Sequence, residues 1–264
     1  MSLTSLRNSA FQRAGKMLRG AGIDISPIET RRGFAGFRVQ FRRDQPEIRR
    51  GAVIEASHGV RFFVGDEGDL VQRYHLRGEF YEAEELALIA PYVRGLVADI
   101  GANVGNHTLY FLTQTAAEKV IAVEPNPPAY RILDLNIRLN GLTDRAEVHR
   151  VGLSDSPGTA HSRAPYRNLG GSWLEPGGDL PIVAGDTLFA DQPVSFMKID
   201  VEKMEMKVLA GLRETIARHR PAIFIEIDDV NTEAFEAFRD EIGYRTELTH
   251  RRYPWSVNYL ILPA

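Results

Sequence analysis

The stretch Leu96-Val-Ala-Asp-Ile-Gly-Ala-Asn-Val-Gly-Asn-His-Thr-Leu-Tyr-Phe111 joins an apolar segment, a glycine turn and a helical pattern. Its first five residues, Leu96 to Ile100, predict a buried strand that stops at Gly101. Apolar side chains follow Asn106 and favour a helix. Gly101 and Gly105 let the main chain approach a ligand closely, and the start of the helix offers free backbone N–H groups. The stretch therefore predicts the ligand-binding turn of an α/β protein.

The residues at this turn disfavour a dinucleotide. A dinucleotide fingerprint requires three glycines beneath a pyrophosphate, and two of those places hold Asn103 and Asn106. Asp99 at the mouth would repel a pyrophosphate and attract an ammonium or a ribose hydroxyl. Glu124 ends the next apolar segment, Val120-Ile-Ala-Val123, where an acid can accept both hydroxyls of a ribose. This set fits S-adenosylmethionine better than NAD. The alternative is a structural βαβ unit whose acids lie at strand ends by chance.

Three segments of the chain resemble, in order, the FkbM family of S-adenosylmethionine-dependent methyltransferases: Val97 to Thr108, Ala122 to Asn126 and Met197 to Glu205. The first segment alone is typical of any class I methyltransferase. The Lys-Ile-Asp-Val-Glu sequence of the third segment, followed by Pro221 to Glu226, narrows the resemblance to this family. The resemblance covers about two thirds of the chain. It departs from the family at Lys203, where a glycine is usual, and this places the shape of the substrate mouth in question.

The resemblance implies a class I methyltransferase fold, which is Rossmann-like α/β with a mostly parallel seven-stranded sheet and a closing antiparallel strand pair. We expect a β-rich N-terminal cap with a leading helix over residues 1–78 and the methyltransferase domain over 79–264. The family places a helix, here Gly78 to Ile89, over the cofactor. The residues expected to bind S-adenosylmethionine are Tyr81, Asp99, Gly101, Ala102, Asn103, Gly105, His107, Thr108, Glu124, Pro125, Asn126 and Asp155. Asp155 is a candidate for the adenine amino group, and a simple Asp turn is its equal alternative.

The pattern along the chain predicts further elements. Residues 4–19 have helical spacing, and short alternating segments between 33 and 76 predict antiparallel strands. Val148 to Leu153 is expected to be a single third strand. Residues 158–192, rich in glycine and containing Trp173 and Asn168, predict a lid or a substrate-recognition loop. The remaining predicted strands are Ser195 to Asp200, Ala222 to Ile227, Arg245 to Thr249 and Ser256 to Leu262.

Acids follow the predicted strands at Asp99, Glu124, Asp155, Asp200 and Asp228. Ligands of open α/β sheets bind beyond such strand ends. Methyl transfer needs positioning, and a hydroxyl acceptor also needs a base. We expect Asp200 to orient or deprotonate the acceptor, with Glu202 flanking the same place. Lys198, on the same strand face, and His161 are the weaker alternatives for this catalytic role. Mg²⁺ held by Asp200, Asp228 and Asp229 is an alternative that the resemblance does not imply, so no metal ligand is predicted.

Composition excludes several functions. The 264 residues are 44% hydrophobic and 25% charged and contain no cysteine, which excludes disulfides, cysteine-ligated zinc and thiol catalysis. No apolar segment approaches the roughly 20 residues of a membrane span, and no signal peptide is predicted. A cytoplasmic enzyme is expected.

The N-terminal region is basic: residues 1–50 carry 11 Lys and Arg against 4 Asp and Glu. This favours either a solvated basic face or an anionic partner such as RNA. The predicted helix can also pack on a neighbouring chain and form a homo-oligomer. The leading hypothesis is O-methylation of a small molecule with S-adenosylhomocysteine as product, and the resemblance alone suggests a sugar, a glycan or a polyketide-like acceptor. An RNA methyltransferase and a non-catalytic cofactor-binding protein are the alternatives.

Overall fold

The computed structural model describes residues 23–29, 35–41 and 51–264. The predicted helix over 4–19 lies outside these residues. The strands are β1 (Ile23–Glu29), β2 (Ala35–Phe41), β3 (Gly51–Glu55), β4 (Arg61–Val64), β5 (Arg94–Ile100), β6 (Ala116–Val123), β7 (Ala146–His149), β8 (Gly152–Ser154), β9 (Gly158–Arg163), β10 (Trp173–Pro176), β11 (Leu180–Ala184), β12 (Val194–Ile199), β13 (Ala222–Asp228), β14 (Tyr244–His250) and β15 (Ser256–Pro263). The helices are α1 (Gln72–His75), α2 (Ala83–Ile89), α3 (Asn106–Gln114), α4 (Pro127–Leu139), α5 (Asp186–Phe189), α6 (Glu205–Ala210), α7 (Arg213–His219) and α8 (Thr232–Glu241).

The central layer is a seven-stranded sheet with the order β14-β15-β13-β12-β5-β6-β7. Its five strands from β13 to β7 run parallel, and β15 pairs antiparallel with both β13 and β14. The predicted mostly parallel sheet with a closing antiparallel pair is confirmed. The strand order reverses between β5 and β12, so a crevice opens there beyond the carboxyl ends of the strands.

Helices cover both faces of this sheet because alternate strand residues point to opposite sides. Ala98 and Ile100 of β5 belong to a core that contains Leu209 and Ile216 of α6 and α7. Val97 belongs to the opposite core, with residues of α2, α3 and α4. The continuous apolar runs of β5, β6 and β12 in the sequence reflect this burial on two faces.

The N-terminal strands form an antiparallel sheet in the order β1-β2-β3-β4. The alternating pattern predicted β2, β3 and β4, whereas β1 lies before the predicted segment. Val53 and Phe63 of this sheet pack against Ile132 and Leu135 of α4. Fully buried Asn136 links the two layers, because its Oδ1 accepts the Phe63 N–H at 2.7 Å and its Nδ2 donates to the Val104 carbonyl at 2.8 Å. The same side chain therefore connects the sheet, α4 and the glycine turn.

The prediction of one strand from Val148 to Leu153 was wrong. β7 ends at His149 in the central sheet, and β8 begins at Gly152 in a separate sheet of order β10-β9-β11-β8. A Cβ at Gly152 would lie 2.4 Å from Ile182 Cδ1 of β11, so a larger residue there would require the Ile182 side chain to shift. This small sheet occupies much of the region from 158 to 192 that was expected to form a loop.

The helix expected from Gly78 begins only at Ala83. The side chain of Asn106 holds the backbone of Tyr81, accepting its N–H and donating to its carbonyl, each at 2.9 Å. Glu82 then adopts a left-handed φ of 59° before the helix starts. These contacts lie 25 residues apart in sequence, so the local pattern did not contain them.

In the part of the chain that the structure describes, no helix is both long enough and apolar enough to cross a membrane.

Replacing Asn136 by Ala should destabilise the fold by about 2–4 kcal/mol, because it removes the two buried hydrogen bonds that its side chain makes to the Phe63 N–H and the Val104 carbonyl. Urea unfolding followed by circular dichroism measures this change. Gln114→Ala on exposed α3 surface is the control and should stay within about 0.5 kcal/mol of the wild type. A loss below about 1 kcal/mol for Asn136→Ala would contradict the linking role.

Candidate active site

A cavity of about 390 Å³ opens at the carboxyl ends of β5, β6, β12 and β13, where the strand order reverses. Its wall combines the glycine turn, the ends of these strands, the small sheet and the β14–β15 connection. The predicted site residues in its lining are Tyr81, Gly101, Ala102, Asn103, His107, Glu124, Pro125, Lys198, Asp200 and Glu202.

The glycine turn brings bare main chain to the cavity. Gly101 has a φ of +77°, and a Cβ there would lie 1.8 Å from the Asp200 carbonyl oxygen, so only glycine fits. Gly101 N–H and Ala102 N–H both donate to the Val123 carbonyl, which fixes the turn against β6. Asn103 also adopts a left-handed φ of 50°, and its Oδ1 is buried without a hydrogen-bond partner. The cavity therefore presents an unfilled acceptor beside the turn.

Glu124 is held rigidly at the end of β6. One carboxylate oxygen accepts the Asn103 N–H and the other accepts the Asn126 N–H, both at 2.7 Å. The residue is 5% exposed, and this burial raises the pKa of its carboxyl to about 7 against the opposing effect of the two N–H donors. Each oxygen retains a lone pair for a ligand hydroxyl in the cavity.

Lys198 carries the buried positive charge of the site. Its Nζ donates to the Gly101 carbonyl at 2.7 Å and lies 3.6 Å from Asp99 and 3.4 Å from Asp200. Burial lowers the pKa of Lys198, but the neighbouring carboxylates, led by Asp200, outweigh it and the pKa is raised. The Asp200 side chain is 35% exposed and Lys198 only 4%, so Asp200 is the member of the pair that faces a ligand.

The wall beside α2 carries a second group of polar residues. His107 Nε2 lies 3.7 Å from Glu82, and burial lowers the pKa of His107 well below its usual range. Burial, reinforced by neighbouring carboxylates, raises the pKa of Glu82 to about 8. The hydroxyls of Tyr81 and Tyr253 are hydrogen bonded, and the Arg252 guanidinium lies 4.8 Å from the Tyr81 ring centre.

Four further carboxylates line the cavity around the start of α6 and the end of β13: Glu202, Glu205, Glu226 and Asp228. Burial and then mutual repulsion raise the pKa of Glu202 to about 8, and burial is the main cause that raises Glu205 and Glu226 to about 7. We call this group the acidic wall. Sequence reasoning placed Asp228 at a strand end and Glu202 beside the acceptor, but it did not place Glu205 or Glu226 in the site.

Lys203 adopts a left-handed φ of 68° in the turn that follows β12. This is the conformation that glycine adopts without strain, in agreement with the glycine usual at this position in the family. The Lys203 ammonium lies 5.3 Å from the centre of the Trp173 ring, a cation–π contact. The turn therefore reaches across the mouth of the cavity to β10.

Five of the residues predicted to bind S-adenosylmethionine do not line the cavity. Asp99 is fully buried beneath it and accepts a hydrogen bond from Thr108 at 2.6 Å, in contrast to the expectation that it would meet the ligand at the mouth. Gly105 lies against Leu133 behind the turn, and Asn126 caps α4 by accepting the Ala129 N–H. Asp155 lies outside and accepts bonds from Ser154 and Ser156, as in the alternative of a simple turn. The five are Asp99, Gly105, Thr108, Asn126 and Asp155.

The sequence pattern did not predict two aromatic residues of the cavity wall, Tyr253 and Trp255. They lie between β14 and β15 with their rings stacked, 5.3 Å apart at 11°. The only sequence signal was an aromatic pair around a proline in a predicted hairpin connection.

Within residues 51–264, no three His, Asp or Glu side chains converge in a geometry that could hold a metal ion. Asp229, one of the three acids considered for Mg²⁺, instead forms an ion pair with Arg251 at 2.8 Å.

The buried acids make the stability of the ligand-free protein depend on pH. The pKa values of Glu82, Glu124, Glu202, Glu205 and Glu226 in the folded protein, about 7 to 8, exceed the ordinary value for a glutamate. Between pH 5 and 8 these acids therefore bind more protons in the folded state than in the unfolded state. Stability should therefore fall as pH rises through this window. Melting temperatures from pH 5.5 to 8.5 check this, and Glu202→Gln should flatten the slope. A melting temperature that rises with pH would contradict it.

A family model for the methyltransferase FkbM domain matches residues 99–252, more than half of the chain. Methyltransferase sdnD of Sordaria araneosa is 36% identical over 63 residues, 24% of this chain and 24% of that protein. AMB antimetabolite synthetase AmbE of Pseudomonas aeruginosa is 27% identical over 221 residues, 67% of this chain and 10% of that protein. A tRNA wybutosine-synthesizing protein 2 homolog of Bos taurus is 33% identical over 99 residues, 38% of this chain and 22% of that protein. The chain spans a quarter or less of the length of these relatives.

Solved structures share the fold. Pyrococcus horikoshii TYW2 in complex with MeSAdo superposes with a TM-score of 0.50 at 18% identity, over 81% of this chain and 72% of that chain. Methyltransferase FkbM of Methylobacillus flagellatus KT gives a TM-score of 0.48 at 20% identity, over 75% of this chain and 56% of that chain. The TYW2 structure shares the α/β fold, and the family match over residues 99–252, together with the observed strand order, confirms the predicted class I methyltransferase architecture. Since the family model covers more than half of the chain, this protein belongs to the FkbM methyltransferase family.

Proposed function

We propose that this protein is an S-adenosylmethionine-dependent methyltransferase that methylates a hydroxyl group of a small molecule. The observation that carries the proposal is that Glu124, at the end of β6, and Asp200, at the end of β12, line the same cavity. Between them runs the glycine turn, whose backbone lies bare in the cavity. This order of groups is complementary to a nucleoside at one end and a reacting centre at the other.

The residues present fit the cofactor. Glu124 offers two held oxygens for the ribose hydroxyls, and the buried, unpartnered Oδ1 of Asn103 offers a further acceptor. Val151, Leu153 and Leu174 form an apolar part of the wall that suits an adenine ring. S-adenosylmethionine, when bound, supplies an electrophilic methyl group and leaves as S-adenosylhomocysteine.

Asp200 is the group that handles the acceptor proton. It projects from the end of β12 into the cavity, and Lys198 at 3.4 Å holds its carboxylate in place. A carboxylate in this position accepts the hydroxyl proton and orients the oxygen lone pair. Glu202 lies next in the wall and can pass that proton to solvent.

A small natural product, a sugar or a glycan is the proposed acceptor class. The family resemblance supports it, and the antimetabolite synthetase among the relatives agrees with natural-product chemistry. The tRNA wybutosine relative and the basic segment 1–50 favour RNA as second candidate. The acidic wall would repel a phosphodiester backbone near the reacting centre, so the small molecule is preferred.

Replacing Glu124 by Ala should weaken S-adenosylmethionine binding by about 1.5–3 kcal/mol, the range for hydrogen bonds to a charged group. Calorimetric titration measures the dissociation constant. Glu147→Ala, an exposed acid on β7 paired with Lys119, is the control and should bind as the wild type does. An unchanged constant in a folded Glu124→Ala protein would remove Glu124 from the cofactor site.

Replacing Asp200 by Asn should lower turnover by about 10²–10⁴-fold and leave cofactor affinity nearly unchanged, because the amide cannot accept the acceptor proton. Turnover is measured by transfer of a labelled methyl group to whichever member of a panel of sugars and polyketides the wild type methylates. Asp155→Asn outside the cavity is the control. Near-normal turnover of Asp200→Asn would exclude it as the base, and a parallel loss of affinity would assign it to cofactor binding instead.

A further inference from the structure

The acidic wall, Glu202, Glu205, Glu226 and Asp228, has no cationic partner. Among the described residues, none of its carboxylates lies within ion-pair distance of a Lys, Arg or His side chain. The nearest turn does carry Lys203, but its ammonium lies over the Trp173 ring rather than against an acid. The other acids that line the cavity, Glu82, Glu124 and Asp200, do have cationic or N–H partners.

The bonding of Glu205 shows that this wall is incomplete. The residue is only 5% exposed, and its Oε1 accepts the Lys203 N–H at 2.9 Å. Its Oε2 is buried and has no hydrogen-bond partner. A buried carboxylate oxygen without a donor costs free energy unless a ligand supplies one. Glu205 belongs to the lining of the cavity, where a ligand is available to supply such a donor.

The proposed cofactor does not account for these charges. Lys198 and Arg252 already face Asp200 and Glu82, and backbone N–H groups hold Glu124. S-adenosylmethionine carries one net positive charge, from a sulfonium, an ammonium and a carboxylate. In the ligand-free protein the raised pKa values of Glu202, Glu205 and Glu226 keep these acids partly protonated, and a further cation in the cavity would favour their ionised forms.

The aromatic part of the wall points to the same kind of ligand. Tyr253 and Trp255 stack on each other and line the cavity together with Trp173. Aromatic faces attract cations, and the surroundings of carboxylates and aromatic rings are typical of sites for ammonium groups. The Lys203 ammonium over Trp173 is an example within the chain itself.

We propose that the acidic wall is an acceptor subsite for a protonated amine or guanidinium, so that the methylated molecule is a cationic amino-hydroxy compound. The inference rests on the proposed function and narrows its substrate class. A protonated amine has no free lone pair, so it serves as the anchor and leaves a neighbouring hydroxyl as the nucleophile at Asp200. An amino sugar or an amino alcohol has this chemistry.

The test uses matched probes that differ in charge. Glucosamine and N-acetylglucosamine, together with the cations spermidine and agmatine, are titrated into the full chain saturated with S-adenosylhomocysteine at pH 7.5, and tryptophan fluorescence and calorimetry follow binding. We expect glucosamine to bind at least tenfold more tightly than N-acetylglucosamine. The double variant Glu205→Gln/Asp228→Asn should weaken binding of the cations at least tenfold, with the dissociation constant of S-adenosylhomocysteine within twofold of the wild type. Glu147→Gln is the matched control and should change neither the binding of the cations nor the binding of S-adenosylhomocysteine.

Equal binding of the glucosamine pair, or no binding of any of the three cations, would overturn the inference. Binding of Mg²⁺ alone, lost in the double variant while the amines do not bind, would overturn it in favour of a metal site. Failure of S-adenosylhomocysteine to bind the wild type would count against the proposed function itself. Cofactor binding without a preference for cations would count against the acceptor subsite only.

Discussion

The buried ammonium of Lys198 is the contact on which the site depends. It joins three parts of the chain that meet at the reversal of strand order: it donates to the Gly101 carbonyl and lies between Asp99 below and Asp200 above. A charge with a 4% exposed side chain is stable only because these oxygens surround it. Asp99, also fully buried, needs the same cation, so the two residues hold the ends of β5 and β12 at a fixed separation. The glycine turn and the exposed Asp200 take their positions from this centre.

Much of the architecture could be predicted from the sequence because it follows from local patterns. The continuous apolar runs of β5, β6 and β12 and the glycines at Gly101 and Gly105 define the sheet and its turn without reference to distant residues. The same reasoning placed Lys198 and Asp200 on one side of a strand, as the structure shows. Acids at strand ends correctly indicated which edge of the sheet carries the cavity.

What could not be predicted depends on contacts between distant residues. Asp99 lies beneath the site because Thr108 and Lys198, 9 and 99 residues away, enclose it. Tyr81 is excluded from a helix by an amide 25 residues further along the chain. Trp255 reaches the cavity from a connection whose position depends on the antiparallel pairing of the last two strands. A single-sequence pattern contains no information on such encounters, so it located the edge of the sheet but not the full wall.

Lys203 stands in a turn where the FkbM family usually has glycine, and the contacts around it show how a lysine is accommodated there. A non-glycine residue with a φ of 68° costs about 1–2 kcal/mol in backbone strain. The backbone N–H of Lys203 is held by Glu205, and its ammonium gains about 0.5–1 kcal/mol over the face of Trp173. A glycine would make the same backbone hydrogen bond, so only the cation–π contact offsets part of the strain that the lysine introduces. This contact also ties the turn that carries Glu202 to the small sheet, so a residue that departs from the family pattern couples the acidic wall to the opposite side of the mouth. The departure lies on the acceptor side of the proposed site, apart from the glycine turn and Glu124, where the cofactor is proposed to bind.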